Sequence, residues 1–390
     1  MPVRRAVAVL IFALLWHGGA AAAALQRVPL AYLGETRAGD AGAAESGAAV
    51  DEGLAGAHLG VADNNSTGRF VGLEFELLPT QAAGLGQLIS RPSAGAPVTF
   101  AVADLPSKIL ATIARQFPAL TFINVRARSD RLRNEDCAAN VLHTISSRAM
   151  LADALAQYLV WKRWTRWFLV VGSSAADAAY ADAVRRAAAK FGASISAEKA
   201  WTFGAPNVRA DTGHATLQTE IPAFTRVGDY DVLIVADEED EFGEELVGRT
   251  FLPRPVAGTH GLIATTWSRV NEQWGALQLQ RRFEKEFKRA MRPRDYAAWL
   301  AVRAIGEAAV RTGSADAGTV RQYMLGPEFL LSGFKGRGQS FRPWDGQMRQ
   351  RVLIAGPRRL VSASPQQGFL HRVSELDTLG TDKDESACRR

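Results

Sequence analysis

The chain has 390 residues, enough for two domains of ordinary size with well-formed apolar cores. Its 46 basic and 40 acidic residues give a net charge of +6, and the two signs alternate closely, for example at 281–288. Interspersed charges argue against the single-signed surface that nucleic-acid binding requires, and a basic balance of this size favours a small anionic ligand.

Residues 1–24 have the order of a secretory signal peptide. Arg4 and Arg5 precede an apolar run at 6–16, and small residues follow up to Ala24. A retained membrane anchor is the alternative, but the run is shorter than the roughly 20 residues that span a bilayer. We therefore expect export, which leaves residues 25–390 with 44 basic and 40 acidic side chains, a net charge of +4.

Apolar strands and helices alternate from residue 28 onwards. The predicted strands of the first half lie at 28–34, 70–78, 97–102 and 121–125. Helices are predicted between them, at 43–62, at 81–90 and from about Pro106, and the turn residues at 64–68 are expected to end the first of these helices. Regular alternation of this kind is typical of a parallel sheet covered by helices on both faces.

A basic loop, an extended segment at 141–145 and a helix separate this set from a second one. The second set has predicted strands at 167–171, 194–202, 231–236 and 261–266, and helices at 174–191 and 214–228, with a break at Pro222. Further helices are predicted at 275–288, at 296–312 with Asp295 as the N-cap, and at 319–325, before a turn-rich tail with one strand at 351–354. The sequence thus predicts an α/β protein with two similar lobes.

Cys137 and Cys388 are the two cysteines of the chain. In an exported protein they can form one disulfide that ties the C-terminal end to the middle of the chain, or remain two buried thiols. No histidine has a second donor at metal-ligand spacing, and the phosphate-loop, nucleophile-elbow and zinc-helix motifs are absent. The sequence therefore gives no positive evidence of a catalytic centre, although it does not exclude one, and we expect no bound metal.

The loops after buried strands are the places where an open α/β sheet binds ligands. Arg126 and Arg128 follow the fourth predicted strand, and guanidinium groups bind carboxylates with two hydrogen bonds, although either side chain could simply face solvent. Lys108 is a weaker candidate for the same basic wall. Trp267 ends a predicted strand, where its indole could stack on a flat ligand. Glu238, in an acidic run after another strand, could receive a ligand donor or a cation.

The order of parts resembles that of a known family. A signal peptide, an α/β lobe, a crossover, a second α/β lobe and a return helix of the sequence RDYAAWLAVRAIGEAAV resemble the type I periplasmic binding proteins of ABC importers, in the branched-chain amino acid branch. The similarity covers nearly the whole chain after residue 24. The pieces DCAANVLHTISSRAMLADALAQYL, RPVAGTHGLIATTW and SELDTLGTDKDES are similar to binding proteins associated with alcohol oxidation that depends on pyrroloquinoline quinone (PQQ).

This resemblance implies how the chain is divided and where the ligand binds. It implies two Rossmann-like lobes with parallel sheets, the first formed by 25–140 plus 270–325 and the second, with the C-terminal tail, by 141–269 plus 326–390. A multi-strand hinge that includes 141–145 joins them, and the ligand lies between them. Carried over position by position, the implied ligand contacts are the loop at 103–107, which includes Asp104 and Ser107, together with Arg126, Ala127, Arg128, Tyr180, Glu238 and Trp267.

Two departures from the family pattern bear on the ligand. Amino-acid binders usually place small hydroxyl residues at the positions of Arg126 and Arg128, and a Tyr-Gly pair at the position of Tyr180 and Ala181. These differences favour a larger, acidic ligand, and PQQ, which is flat and carries three carboxylates, suits arginines and aromatic rings.

The function implied by the resemblance is that of an exported, monomeric solute-binding protein of the periplasm. It would present PQQ or a related compound to an ABC permease in the inner membrane, and it would require no cofactor. The alternatives are branched-chain amino acid binding, and a sensor or accessory protein for a periplasmic quinoprotein dehydrogenase.

Overall fold

The computed structural model describes residues 25–34, 51–90, 96–202 and 213–389. The predicted signal peptide at 1–24 and the beginning of the first predicted helix, 43–50, lie outside the described residues. Within the described part of the chain, no helix combines the length and the apolar character needed to cross a membrane.

The first lobe is built on a parallel sheet that shows five strands in the described residues, in the order β2-β1-β3-β4-β5. The strands are β1 (Gln26–Gly34), β2 (Leu73–Thr80), β3 (Phe100–Asp104), β4 (Thr121–Asn124) and β5 (Val141–His143). All residues of β3 and β4 are buried because helices cover both faces of the sheet. Three of these helices lie between the strands of the sheet in the sequence: α1 (Leu54–Gly68), α2 (Leu85–Ser90) and α3 (Ser107–Gln116).

The second lobe contains a mixed sheet in the order β15-β14-β10-β9-β8-β6-β7. Neighbours from β10 to β7 are parallel, whereas β14 and β15 pair antiparallel at one edge. The strands are β6 (Arg166–Val171), β7 (Ser194–Ala200), β8 (Val232–Ala236), β9 (Val256–Gly258), β10 (Leu262–Thr265), β14 (Val352–Ala355) and β15 (Leu360–Ser364). The helices are α4 (Arg148–Trp161), α5 (Ala175–Phe191), α6 (Gly213–Phe224) and the single turn α7 (Gly243–Leu246).

Later segments return to complete the first lobe. They are the helices α8 (Ala276–Phe287), α9 (Pro293–Thr312) and α10 (Ala317–Leu325), and a small antiparallel sheet of β11 (Leu331–Ser332), β12 (Gly338–Phe341) and β13 (Met348–Arg349). Helix α9 packs directly on α1, and the backbones approach so closely that a Cβ atom on Gly56 would lie 1.9 Å from the carbonyl oxygen of Asp295. The return helix is therefore a core element of the first lobe.

In the described chain, the backbone passes three times between the lobes, after β5, after β10 and after β13. Hydrogen bonds join these crossings: the Gln350 side chain donates to the Thr144 carbonyl at 2.6 Å, and the Ser146 N–H donates to the Thr266 hydroxyl at 3.2 Å. The predicted fold class, two α/β lobes with parallel sheets and a multi-strand hinge, is confirmed.

The lobes meet at boundaries that differ from the division implied by the sequence. Residues 141–143, placed in the second lobe, form the edge strand of the first sheet, where Leu142 is paired with Ile123. Residues 326–349 contribute Phe341 and Met348 to the core of the first lobe. The hinge begins only after β5, so residues 141–143 still belong to the first lobe. The last crossing lies just before β14, so residues 326–349 belong to the first lobe as well.

The C-terminal tail contacts both lobes. Cys137 and Cys388 are joined by a disulfide across a sequence separation of 251, which decides between the two states that the sequence left open. Further back, the Gly380 N–H donates to the buried carboxylate of Asp153 in α4 at 2.8 Å. The tail thus runs from the helices of the second lobe to a loop of the first, the loop between β4 and β5.

Some local predictions were wrong because tertiary contacts overrode local signals. The turn residues at 64–68 continue α1 instead of ending it, since the Asn64 amide donates to the Val302 carbonyl in α9 at 2.8 Å. Pro222 lies inside α6. Asp295 is the third residue of α9, not its N-cap, and its carboxylate accepts from the Arg292 N–H at 2.9 Å and from the Gly53 N–H at 2.8 Å.

Candidate functional site

A pocket of about 350 Å³ lies between the two lobes, a volume within the usual range for small-ligand sites. Arg128 and Pro293 contribute from the first lobe. The second lobe contributes the rest of the lining, which is Leu151, Tyr180, Asp237, Glu238, Asp240, Gly258, Thr259, His260, Ile263, Ala264 and Thr265. The pocket therefore lies beyond the carboxyl ends of β4 and β8, which is where open α/β sheets bind ligands (the strand-end rule).

The loop that carries Arg128 is held by Asn124, the last residue of β4. The Asn124 side-chain oxygen accepts from the N–H groups of Arg126 at 3.1 Å and Ala127 at 2.8 Å, and its NH₂ donates to the Ala127 carbonyl at 2.8 Å. Ala127 is buried and its backbone groups are engaged, so it shapes the loop and does not line the pocket. Sequence reasoning missed Asn124, although a lone amide at the end of a buried apolar strand is a signal for such a loop anchor.

The guanidinium of Arg128 has no hydrogen-bond or ion-pair partner among the described residues. Burial lowers the pKa of Arg128, the carboxylate of Glu238 acts to raise it, and the nearby Arg148 lowers it again. The lowered pKa shows that burial of this cation is not fully compensated by the groups around it. An anionic ligand would supply the missing countercharge and two hydrogen-bond acceptors.

Tyr180 faces Arg128 from the other lobe. It lies in α5 and is buried, and its hydroxyl has no hydrogen-bond partner among the residues described. Burial raises the pKa of Tyr180, and the Glu238 carboxylate raises it further, so the hydroxyl is a neutral donor at any physiological pH. Arg128 and Tyr180 thus offer donors to the pocket from different lobes.

Glu238 is not a free carboxylate. Both of its oxygens accept from the guanidinium of Arg148, with the Arg148 Nε at 2.9 Å from Glu238 Oε1, and its backbone N–H donates to Asp177. Arg148 is the first residue of α4, and its own N–H donates to the Arg128 carbonyl at 3.0 Å. Arg148 was missed from the sequence, where nothing local indicates that it would meet a residue 90 positions away.

The two neighbouring acids lining the pocket are also engaged. Asp237 is buried and accepts from the backbone N–H groups of Glu241, Phe242 and Gly243 at 2.7 to 3.0 Å, which folds the acidic run into a tight loop. Asp240 lies at the rim with 81% of its side chain exposed, 2.7 Å from His260 Nε2. Both carboxylates therefore have partners within the protein.

No protein-family model matches the chain, and no curated protein matches it. Solved structures do match it. A periplasmic binding protein from Burkholderia mallei is 16% identical, with 93% of this chain and 98% of that chain covered and a TM-score of 0.63. A branched-chain amino acid ABC transporter ligand-binding protein from Burkholderia xenovorans is 14% identical, with 86% and 95% covered and a TM-score of 0.66. The fold is that of the type I periplasmic binding proteins.

One structure with the same binding-protein fold contains an acidic aromatic ligand. It is a solute-binding protein of an ABC transporter from R. palustris, in complex with benzoate, which is 13% identical, with 94% of this chain and 100% of that chain covered and a TM-score of 0.61. These similarities establish a shared fold, but at identities this low they do not identify the ligand of this chain, which has to be inferred from its own side chains.

The structure brings together three of the predicted contacts, Arg128, Tyr180 and Glu238. Asp104, at the end of β3, lies in a separate first-lobe cluster, where it accepts from the Tyr32 hydroxyl at 2.9 Å and lies 3.4 Å from Arg294. Burial raises the pKa of Asp104, while the charges of Arg294 and Arg126 oppose this rise.

Ser107 and Lys108 line a different depression of the first lobe, of about 400 Å³, together with Arg115 and Arg131. Helix α3 begins at Ser107, so these two residues lie at its N-terminal end, and neither of them lines the pocket between the lobes. Among the described residues, no group of three or more potential metal ligands occurs.

Trp267 does not face the pocket, contrary to the prediction. It is 1% exposed and belongs to the first-lobe core, where its ring stacks on Tyr296 with centroids 4.3 Å apart. The physical reason is the second crossing: the chain leaves β10 at Thr265, and by Trp267 it has already entered the other lobe. Among the described residues that line the pocket, Tyr180 supplies a phenol ring and His260 an imidazole.

Proposed function

We propose that the protein is the solute-binding component of an ABC transport system and that it captures a small carboxylate between its lobes. The observation that carries this proposal is that the Arg128 guanidinium and the Tyr180 hydroxyl line the pocket from different lobes and have no partner among the described residues. The two Burkholderia structures that share this fold are a periplasmic binding protein and a ligand-binding protein of an ABC transporter, and we propose a binding role, not an enzymatic one, for this chain as well.

The placement of the two donors supplies a mechanism for closure. Arg128 belongs to the first lobe and Tyr180 to the second, so a carboxylate gains both interactions only when the lobes are close. A ligand that binds the closed state more tightly shifts the equilibrium towards it, by the free energy of the added contacts. The three joined crossings provide the hinge for this motion.

We further propose that the ligand is aromatic, with PQQ as the specific candidate that the sequence resemblance suggests. Leu151, Ile263 and Ala264 supply an apolar wall for a ring, and Tyr180 supplies an aromatic edge. The benzoate complex of the R. palustris protein shows that this fold accommodates an aromatic acid in that protein. The partner proposed for the closed, loaded form is an ABC permease, reached by a monomer exported to the periplasm through residues 1–24.

Calorimetric and fluorescence titrations with benzoate and PQQ test the proposal. Loss of a charge-assisted hydrogen bond costs about 1.5–3 kcal/mol, so Arg128→Ala should weaken the Kd of the bound acid by roughly 10- to 150-fold. Arg131→Ala is the matched control, because Arg131 is an exposed arginine three residues away that pairs with Asp136. Absence of binding by the wild type at millimolar acid, or unchanged affinity in Arg128→Ala, would refute the proposal.

A further inference from the structure

We infer that the Arg148–Glu238 ion pair makes the pocket selective for carboxylates that lack an α-ammonium group. This rests on the proposed function and goes beyond it, because it names the chemical class of the ligand and a residue that determines specificity without contacting it. Arg148 acts by occupying the carboxylate that an amino acid would need.

In an α-amino acid, the carboxylate and the ammonium are attached to the same carbon. A protein that binds the carboxylate at Arg128 must therefore offer an acceptor for the ammonium directly beside that guanidinium. Glu238 lines the same pocket as Arg128 and Tyr180, and its partner Arg148 is joined to the Arg128 carbonyl through a backbone hydrogen bond of 3.0 Å. An amino-acid ligand would compete with whatever already holds Glu238.

Arg148 holds Glu238 with a two-pronged ion pair. Its Nε and Nη2 groups bind one carboxylate oxygen each, and only 17% of the Arg148 side chain and 12% of the Glu238 side chain are exposed. The backbone anchors both partners, through Asp177 for Glu238 and through the Arg128 carbonyl for Arg148. The pair is thus geometrically fixed, and it cancels the negative charge that would attract an ammonium.

The remaining acids of the pocket do not replace Glu238. The two oxygens of Asp237 accept three backbone N–H groups, and Asp240 lies at the exposed rim beside His260. Burying an ammonium without an acceptor is unfavourable, and this disfavours an amino acid relative to the same molecule without its amine. The ligand class that fits is an aryl or alkyl carboxylic acid, with its body against Leu151, Ile263 and Ala264.

The test uses ligand pairs that differ only by the amine, 3-phenylpropanoate against L-phenylalanine and 4-methylpentanoate against L-leucine. For the wild type, titration calorimetry should give at least tenfold tighter binding of the amine-free acid in the pair that binds. Arg148→Met frees Glu238, so the amino acid should gain and the acid should lose, with a change in their affinity ratio of at least tenfold. The double variant Arg148→Met with Glu238→Gln removes the freed carboxylate and should restore the preference for the acid.

The outcomes separate the two proposals. If the wild type binds the amino acid as tightly as its amine-free partner, or if folded Arg148→Met leaves their ratio unchanged, the inference is overturned. If no acid binds to the wild type, or if an acid binds with unchanged affinity in Arg128→Ala, the proposed function itself fails. If Arg148→Met does not fold, the wild-type affinity ratios and the variant Arg148→Lys provide the test. Lysine keeps the charge but cannot bind both carboxylate oxygens, so it should shift the ratio of acid to amino-acid affinity in the same direction, by a smaller factor.

Discussion

The ion-pair cluster that anchors the C-terminal tail allows a quantitative prediction of stability. Asp377 is fully buried, and its carboxylate accepts from the Nε of Arg342 at 2.8 Å and from the Nε of Arg349 at 2.8 and 3.0 Å. Arg342 also donates to the carbonyls of Leu376 and Leu379. Asp377→Asn keeps the size of the side chain but removes the charge that balances two arginines.

Removing one partner of a buried ion pair costs about 3–5 kcal/mol, because the other charge is left buried without compensation. In this cluster, Arg342 is 1% exposed, whereas Arg349 is 14% exposed and can recover part of its hydration. Asp345, 3.7 Å from Arg342, also retains some compensation. We therefore expect a loss near the lower end of the range, about 3 kcal/mol in the free energy of unfolding.

Urea denaturation followed by tryptophan fluorescence, with the disulfide intact, measures this loss. Asp384→Asn is the control: Asp384 lies 3.5 Å from Arg372 with both side chains largely exposed, and such pairs contribute little to stability. The midpoint should fall clearly for Asp377→Asn and stay unchanged for Asp384→Asn. A loss below about 1 kcal/mol for Asp377→Asn would show that the tail is not anchored by this cluster.

Two further predictions concern the disulfide and a buried lysine. Replacing both Cys137 and Cys388 by serine opens a loop of 251 residues. Because the unfolded chain then gains entropy, the free energy of unfolding should fall by up to about 5 kcal/mol, seen as a lower urea midpoint under non-reducing conditions. Equal midpoints for the variant and the wild type would contradict this entropic explanation. Burial lowers the pKa of Lys335 well below its ordinary 10.5, so the unfolded chain holds a proton that the folded chain lacks, and stability should rise as the pH increases towards 10.5. Lys335→Met should flatten this rise in unfolding curves measured at several pH values, and a profile parallel to that of the wild type would refute the assignment.

The architecture could be predicted from the sequence because its signals are local. Buried parallel strands are short apolar runs, such as 232–236, and the helices between them carry their own start and stop residues, so alternation alone indicated two α/β lobes. The strand-end rule placed Arg128 and Glu238 at the pocket for the same reason: it needs only the order of strands along the chain.

Residues outside the reach of local signals were missed or misplaced. Arg148 belongs to the site because it forms an ion pair with Glu238, 90 positions away. Asn124 belongs to it because its side chain accepts a hydrogen bond from the Ala127 N–H and holds the loop that carries Arg128. Trp267 follows a strand as Glu238 does, yet it lies in the first-lobe core, because the rule for strand ends does not say that the chain crosses to the other lobe at that point.

By itself, the sequence determined the two-lobed α/β class, the alternation of strands and helices, and the chemistry available at the strand ends, since these depend on apolar periodicity and residue type. Only the tertiary structure decided which charges remain free. It paired Glu238 with Arg148, left Arg128 and Tyr180 without side-chain partners among the described residues, and joined Cys137 to Cys388. The physical reason is that the charge of a binding site depends on which side chains meet. These side chains come from segments that are distant in the sequence, and only the folded arrangement of the lobes, the hinge and the tail brings them together.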